Sequence, residues 1–424
     1  MPLPLSLKKS DAGRILEFSK GLAILLIILH HYSRTIWYSR GLPLPALQQW
    51  NFDPAGQGYG LVAAFAQAGR FSDLCMQLTA QFGYVGVHLF VLMSGMGLAL
   101  GTPATAAFGP FMKQRLRKIV PPFWTAVAFF AVMASAVGHP YTLRFTFERL
   151  FLLTTFDQEN FFGFDTPLWC LAVFIQLYLV FLPLRWLINR YGPRILLLLA
   201  AISFVARWTM SAPPVLHWNP FFGHVFGLNW LAVFGIGVWI GCKLRKEGEI
   251  SLPVWAVTGT TLAAMFLLVL SDSFQAVYPI HDTAIGVLTG VTALLSWRIL
   301  SGVRLAAPLA VVGSVSFPLY LYHRPIVSLI VYSWYRGFIV PSLHPLVLGL
   351  ATVLALIAIA LLMRQVLRLR PNISNMAFGD RWVGVANHLA VPAYARADEE
   401  ADRRTRFAPA FRPQTEDSEI QIAA

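Results

Sequence analysis

Ten apolar stretches of about twenty residues each run along this chain. They are centred in 17–36, 83–102, 119–138, 167–187, 195–211, 229–243, 253–271, 282–299, 309–332 and 345–363. Twenty helical residues rise about 30 Å, the thickness of a bilayer's hydrocarbon core. The apolar positions are continuous rather than alternating, which excludes the strand pattern of a membrane barrel. The pattern therefore predicts an all-α, polytopic membrane protein with about ten transmembrane helices. Composition agrees: 57% of residues are hydrophobic, 12% are charged and the mean hydropathy is +0.61.

Charge orients the spans. With the N-terminus inside, the inner side collects nineteen basic residues before the tail, among them Lys8, Lys20, Arg115, Arg185, Arg245 and Arg364. The outer side receives seven, including Arg34, Arg144 and Arg207. That bias predicts a cytoplasmic N-terminus and C-terminus. It also accounts for most of the net charge of +13, so no nucleic acid partner is required. The first apolar run lacks a small-residue cleavage site and reads as a retained helix. Three cysteines (Cys75, Cys170 and Cys242) cannot build a disulfide framework or a thiolate metal cluster, and no metal site is expected. Cys75 and Cys170 both fall near the outer face, where pairing and chance proximity are both open. Residues 1–370 form the membrane-embedded domain, and 371–424, with the charged run Asp398–Arg404, read as a disordered cytoplasmic tail.

Polar residues inside the apolar runs are the candidates for chemistry, because ionisable groups are expensive in lipid. Lys20 and His31 are eleven residues apart, about 1100° of helical rotation, so they share one face roughly 16 Å apart along the axis. Glu17 lies one turn before Lys20 and can pair with it. Ser316, Tyr320 and His323 follow i, i+4, i+7 spacing and present two hydroxyls and an imidazole on one face. An interhelical hydrogen-bond stripe would carry the same pattern. Lys113, Arg115, Arg117 and Lys118 cluster on the inner side, and Arg115 and Lys118 can converge on one phosphate. Simple obedience to the positive-inside rule would look the same.

Five runs in order resemble the bacterial acyltransferase-3 family of integral-membrane O-acyltransferases. They are Lys20 followed by His31; Gly83-Tyr-Val-Gly-Val-His88 leading to Ser94-Gly95; Arg115-Leu-Arg117-Lys118-Ile-Val-Pro121; Trp169 to Tyr178 with Gln176; and Ser316 through Tyr320 and His323 to Pro325. Lys20 and Lys118 stand where Arg is usual, His88 where Asp is common, and Phe174 and Ile175 replace an acidic pair. The resemblance implies an O-acetyltransferase of the bacterial cytoplasmic (inner) membrane, with acetyl-CoA or another acyl-CoA as co-substrate and no bound cofactor. The implied acceptor is a cell-surface or secreted carbohydrate, such as exopolysaccharide or lipopolysaccharide, or a lipid-linked saccharide. The expected roles follow. His31 is the base, with Lys20 and His323 as catalytic partners. Arg115, Arg117 and Lys118 hold the donor, while Ser316, Tyr320 and Gln176 face the acceptor or the oxyanion.

Two readings from other classes use the same residues. His31 and His88 sit at similar depth and could axially ligate a b-type haem in a redox protein. An exporter or flippase of a lipid-linked sugar would use the basic residues to steer an anionic substrate without consuming a donor.

Overall fold

The described part of each of the ten apolar stretches is largely helical in the computed structural model, which describes residues 5–39, 75–76, 78–80, 83–136, 141–153, 168–210, 225–273, 279–302, 306–337, 339 and 344–368. In chain order the helices are α1 (Ala12–Ser39), α2 (Val85–Gly101), α3 (Phe108–Ala136), α4 (Leu143–Leu150), α5 (Trp169–Tyr191) and α6 (Ile195–Met210). They continue as α7 (Leu231–Glu247), α8 (Val254–Ser273), α9 (His281–Gly302), α10 (Ala306–Ser314), α11 (Ser316–Tyr335) and α12 (Pro345–Arg368). Among the described residues five helical stretches are long and apolar enough to cross a membrane, and Val85–Gly101 and Val254–Leu268 are shorter apolar helices. Large apolar side chains such as Leu197, Trp255 and Leu354 point outward, as lipid-facing residues do. The protein is a multi-pass, all-α membrane protein.

Three features depart from the apolar pattern. The stretch 309–332 is broken at Val315 into α10 and α11. Pro318 explains the break, because an unbroken helix would need its absent N–H to reach Ser314, whereas the first turn of a new helix does not. The basic run 113–118, which precedes the apolar stretch 119–138, is itself helical and lies in the opening turns of α3, which begins at Phe108 with Pro110 in its first turn. Two four-residue strands, β1 (Leu5–Lys8) and β2 (Glu249–Leu252), pair antiparallel in the register Lys8↔Glu249. They are too short and too far apart in sequence to leave a periodic signal. The proposed tail, 371–424, lies outside the described residues.

Helix α1 is the hub and packs against α2, α10 and α11, while α2 in turn packs along α7. Lipid offers no hydrophobic drive between helices, so close backbone approach has to supply the contact. At the α1–α10 crossing Gly21 and Gly313 lie backbone to backbone, and a Cβ on either would overlap a carbonyl oxygen of the other helix. Two apolar cores flank the hub. One gathers Leu92, Met96, Phe181, Phe234 and Val238 from α2, α5 and α7. The other gathers Ile28, Tyr32, Phe130, Leu319 and Leu356 from α1, α3, α11 and α12.

Candidate active site

The α1–α11 contact brings His31 to His323, with ring centroids 5.1 Å apart and planes tilted by 40°. His323 is completely buried. Its Nδ1 lies 2.8 Å from the Tyr320 carbonyl oxygen and 3.2 Å from that of Leu319. Carbonyls only accept, so these partners assign the proton to Nδ1 and leave the Nε2 lone pair available. Nε2 is buried and has no hydrogen-bond partner among the described residues. The arrangement provides an imidazole in a fixed tautomer whose basic nitrogen is unspent. Next to it His31 is half-buried, so the pair is reachable from one side.

Arg324 holds this meeting point together. Its Nη1 donates to Thr35 Oγ1 at 2.5 Å and lies 3.5 Å from the His31 carbonyl, to which Thr35 Oγ1 also donates at 2.6 Å. A cation on α11 thus fastens the backbone of α1 at the residue that faces His323. Sequence reasoning passed over Arg324, although an arginine in the middle of an apolar run is itself a signal. Tyr320 packs 6.1 Å from His323 by ring centroids, and its hydroxyl meets the buried Cys170 thiol. Ser316 is buried at the first turn of α11. Cys75, Cys170 and Cys242 are all free thiols.

Lys20 pairs with Glu17 at 2.9 Å, each about one-third exposed. Beyond it, Tyr178 of α5 shares a 3.2 Å hydrogen bond with Ser94 of α2 and stands within electrostatic reach of both Lys20 and Arg115. Along α5 the residues Arg185, Phe181, Tyr178, Phe174 and Cys170 fall on one face by their spacing. Fifteen residues at 1.5 Å each carry that strip about 22 Å, from Arg185 to the Tyr320 contact. Arg115 reaches Thr102 Oγ1 at 3.5 Å and lies over the Phe111 ring, Lys118 is half-exposed and Arg117 is exposed. Gln176 spends its side-chain hydrogen bonds on backbone groups rather than on the imidazoles. Its amide nitrogen donates to the carbonyls of Ala172 and Val225, and its oxygen accepts from Gly227 N–H, so it braces the chain entering α7.

A second buried polar centre lies among α2, α6 and α9. Asp282 accepts from His88 Nε2 at 3.1 Å and pairs with Arg207, all three less than one-tenth exposed. The His88 ring rests on Trp230 at 4.8 Å. The histidine that faces His31 is therefore His323, whereas a haem would need His88 in that place. Arg207 and Asp282 lie 75 positions apart at the ends of two apolar runs, and only their helix packing makes them a pair. Among the described residues no group of three or more His, Cys, Asp or Glu side chains is placed to hold a metal ion.

A sequence profile of an acyltransferase domain, that of acyltransferase-3, matches residues 14–364, which include every residue of the imidazole pair and its surroundings. No curated protein and no solved structure matches the chain.

Proposed function

The chain belongs to the acyltransferase-3 family and is a membrane acyltransferase; within that family we propose that it moves an acyl group, acetyl in our reading, from an acyl-CoA to a hydroxyl of a cell-surface or secreted carbohydrate. The setting is the bacterial cytoplasmic membrane. The observation that carries the reading is the buried apposition of His31 and His323 with an unspent Nε2. An imidazole that is neutral at physiological pH can take a hydroxyl proton and return it.

The reaction then balances without an external acid or base. The imidazole accepts the proton of the acceptor hydroxyl as that oxygen bonds to the thioester carbonyl carbon. The tetrahedral oxyanion is met by hydroxyl donors, for which Tyr320 and Ser316 are the candidates. Collapse breaks the carbon–sulfur bond, and the leaving thiolate receives the proton from the imidazolium. Low water access around buried His323 strengthens each of these interactions. Arg115 lies toward the Arg185 end of the α5 strip and Lys20 beside its middle at Tyr178, where a donor held by its phosphates could extend its flexible arm toward His31.

Mass spectrometry of surface carbohydrate from cells with and without the gene tests the reading, joined to transfer from radiolabelled acetyl-CoA by the purified protein. Acyl-bearing carbohydrate that depends on the gene, together with label transfer in vitro, is the expected result. Carbohydrate that loses export but keeps its acylation would favour a transporter instead.

A further inference from the structure

At the end of the bundle that carries β1 and β2, three guanidinium groups from three helices converge on the C-terminal turn of α2. Arg185 of α5 donates through Nη1 to the Thr102 carbonyl at 2.9 Å and through Nη2 to the Ala104 carbonyl at 3.2 Å. Arg245 of α7 donates to the same Thr102 carbonyl oxygen. Arg115 of α3 reaches the Thr102 hydroxyl at 3.5 Å. The two inner arginines are held on an aromatic shelf. Arg115 lies 5.3 Å from the Phe111 ring and Arg185 5.5 Å from the Phe181 ring, and those two rings stack at 5.3 Å.

The charge count decides what this assembly is for. A helix C-terminus carries about half a negative charge, enough to favour one cation. Arg185 and Arg245 bring two positive charges to one such carbonyl. Arg185 and Arg245 share a single carbonyl oxygen, and among the described residues neither has a carboxylate partner. Glu247, two residues after Arg245, pairs instead with Lys243 at 3.7 Å. Capping of α2 explains one of these two arginines and leaves the other without a counter-charge among the described residues. Each guanidinium has five N–H donors, of which the carbonyls engage only one or two on Arg185 and Arg245. Arg245 and the neighbouring Ala104 are exposed, so an anion has access.

We propose that Arg115, Arg185 and Arg245 around Thr102 form a binding site for a phosphate group. Planar forks in a rigid, ring-backed setting suit phosphate oxygens better than lysines would. The site lies at the start of the α5 strip that leads through Tyr178 to Cys170 and Tyr320. That the phosphate belongs to the acyl-CoA donor rests on the proposed function; that the cradle binds phosphate does not. An anionic lipid headgroup offers the same chemistry from the bilayer.

The test uses the full-length protein in nanodiscs, with coenzyme A and inorganic pyrophosphate titrated separately by calorimetry, in phosphatidylcholine and again with phosphatidic acid added. Arg245→Gln is the main variant because Arg245 is exposed, Arg245→Lys keeps the charge without the fork, and Arg190→Gln removes an exposed cation of α5 outside the cradle. Charge-assisted contacts of this kind correspond to about tenfold or more in affinity. The expected result is pyrophosphate and coenzyme A binding that weakens at least tenfold in Arg245→Gln, less in Arg245→Lys, and is unchanged in Arg190→Gln. Binding that phosphatidic acid competes away in the wild type but not in Arg245→Gln assigns the cradle to lipid phosphate. Equal affinities for both probes in wild type and Arg245→Gln, with no lipid effect, overturn the cradle. Acetyl transfer with an undiminished coenzyme A affinity in Arg245→Gln would discard the cradle and keep the transferase. Arg245-dependent coenzyme A binding without any transfer would do the reverse.

Discussion

Replacing Gly313 by alanine should damage both stability and transfer, although Gly313 touches neither histidine. At the α1–α10 crossing an added Cβ would overlap the Glu17 carbonyl oxygen and stand 2.6 Å from its carbon. Carbon atoms in ordinary contact are about 3.5–4.0 Å apart, so the helices must separate by about 1 Å. The obstacle is backbone on both sides, and no rotamer change can relieve it. Overpacking of this kind costs about 1–3 kcal/mol or more. Helix α10 runs directly into α11, so the displacement is passed to His323, and a misplacement of about 1 Å can cost around 100-fold in rate. Gly101→Ala is the control, because nothing lies within 4 Å of a Cβ there. Thermal unfolding in detergent, followed by size-exclusion fluorescence, and acetyl transfer per folded molecule would be measured on both variants. A Gly313→Ala protein that unfolds and turns over like Gly101→Ala would refute the close-crossing argument.

Three further outcomes can be checked on the same preparations. Lys20→Arg should keep substantial transfer while Lys20→Gln raises donor KM about tenfold or more, since a cation beside Glu17 and Tyr178 is what the site provides. Equal donor constants would make that cation irrelevant. Asp282→Asn should lower stability by about 3–5 kcal/mol by stranding buried Arg207, and the double variant Asp282→Leu with Arg207→Met should recover most of it, read as unfolding midpoints. Gln176→Leu should cost about 1–3 kcal/mol through the unpaired Val225 and Gly227 backbone groups; donor and acceptor KM distinguish this brace from a role in acceptor binding.

Much of the architecture was legible because lipid enforces one rule: about twenty apolar residues per crossing. The break at Val315 was harder to read, since Pro318 within an apolar run also fits a kinked single helix. His31 and His323 were each conspicuous as imidazoles in lipid, but 292 positions separate them and periodicity within one helix says nothing about which helix lies opposite. The same limit hid the Arg207–Asp282 pair. Arg185 and Arg245 were hidden differently: topology already accounts for basic residues at that end, so their convergence on Thr102 adds a second cause that only packing reveals. Gln176 lies on the expected helix, yet its amide is engaged by the backbone at 225–227.

The most direct test of the imidazole pair is acetyl transfer by purified His31→Ala, His323→Ala and the double variant, at matched folded concentration and saturating acetyl-CoA. General-base catalysis is worth about 10²–10⁴ in rate, and groups that act as one unit lose it only once. The expected result is a loss of at least about 100-fold in each single variant, with the double variant no slower than the worse single one and coenzyme A affinity intact. Transfer at the wild-type rate by either single variant would contradict the account.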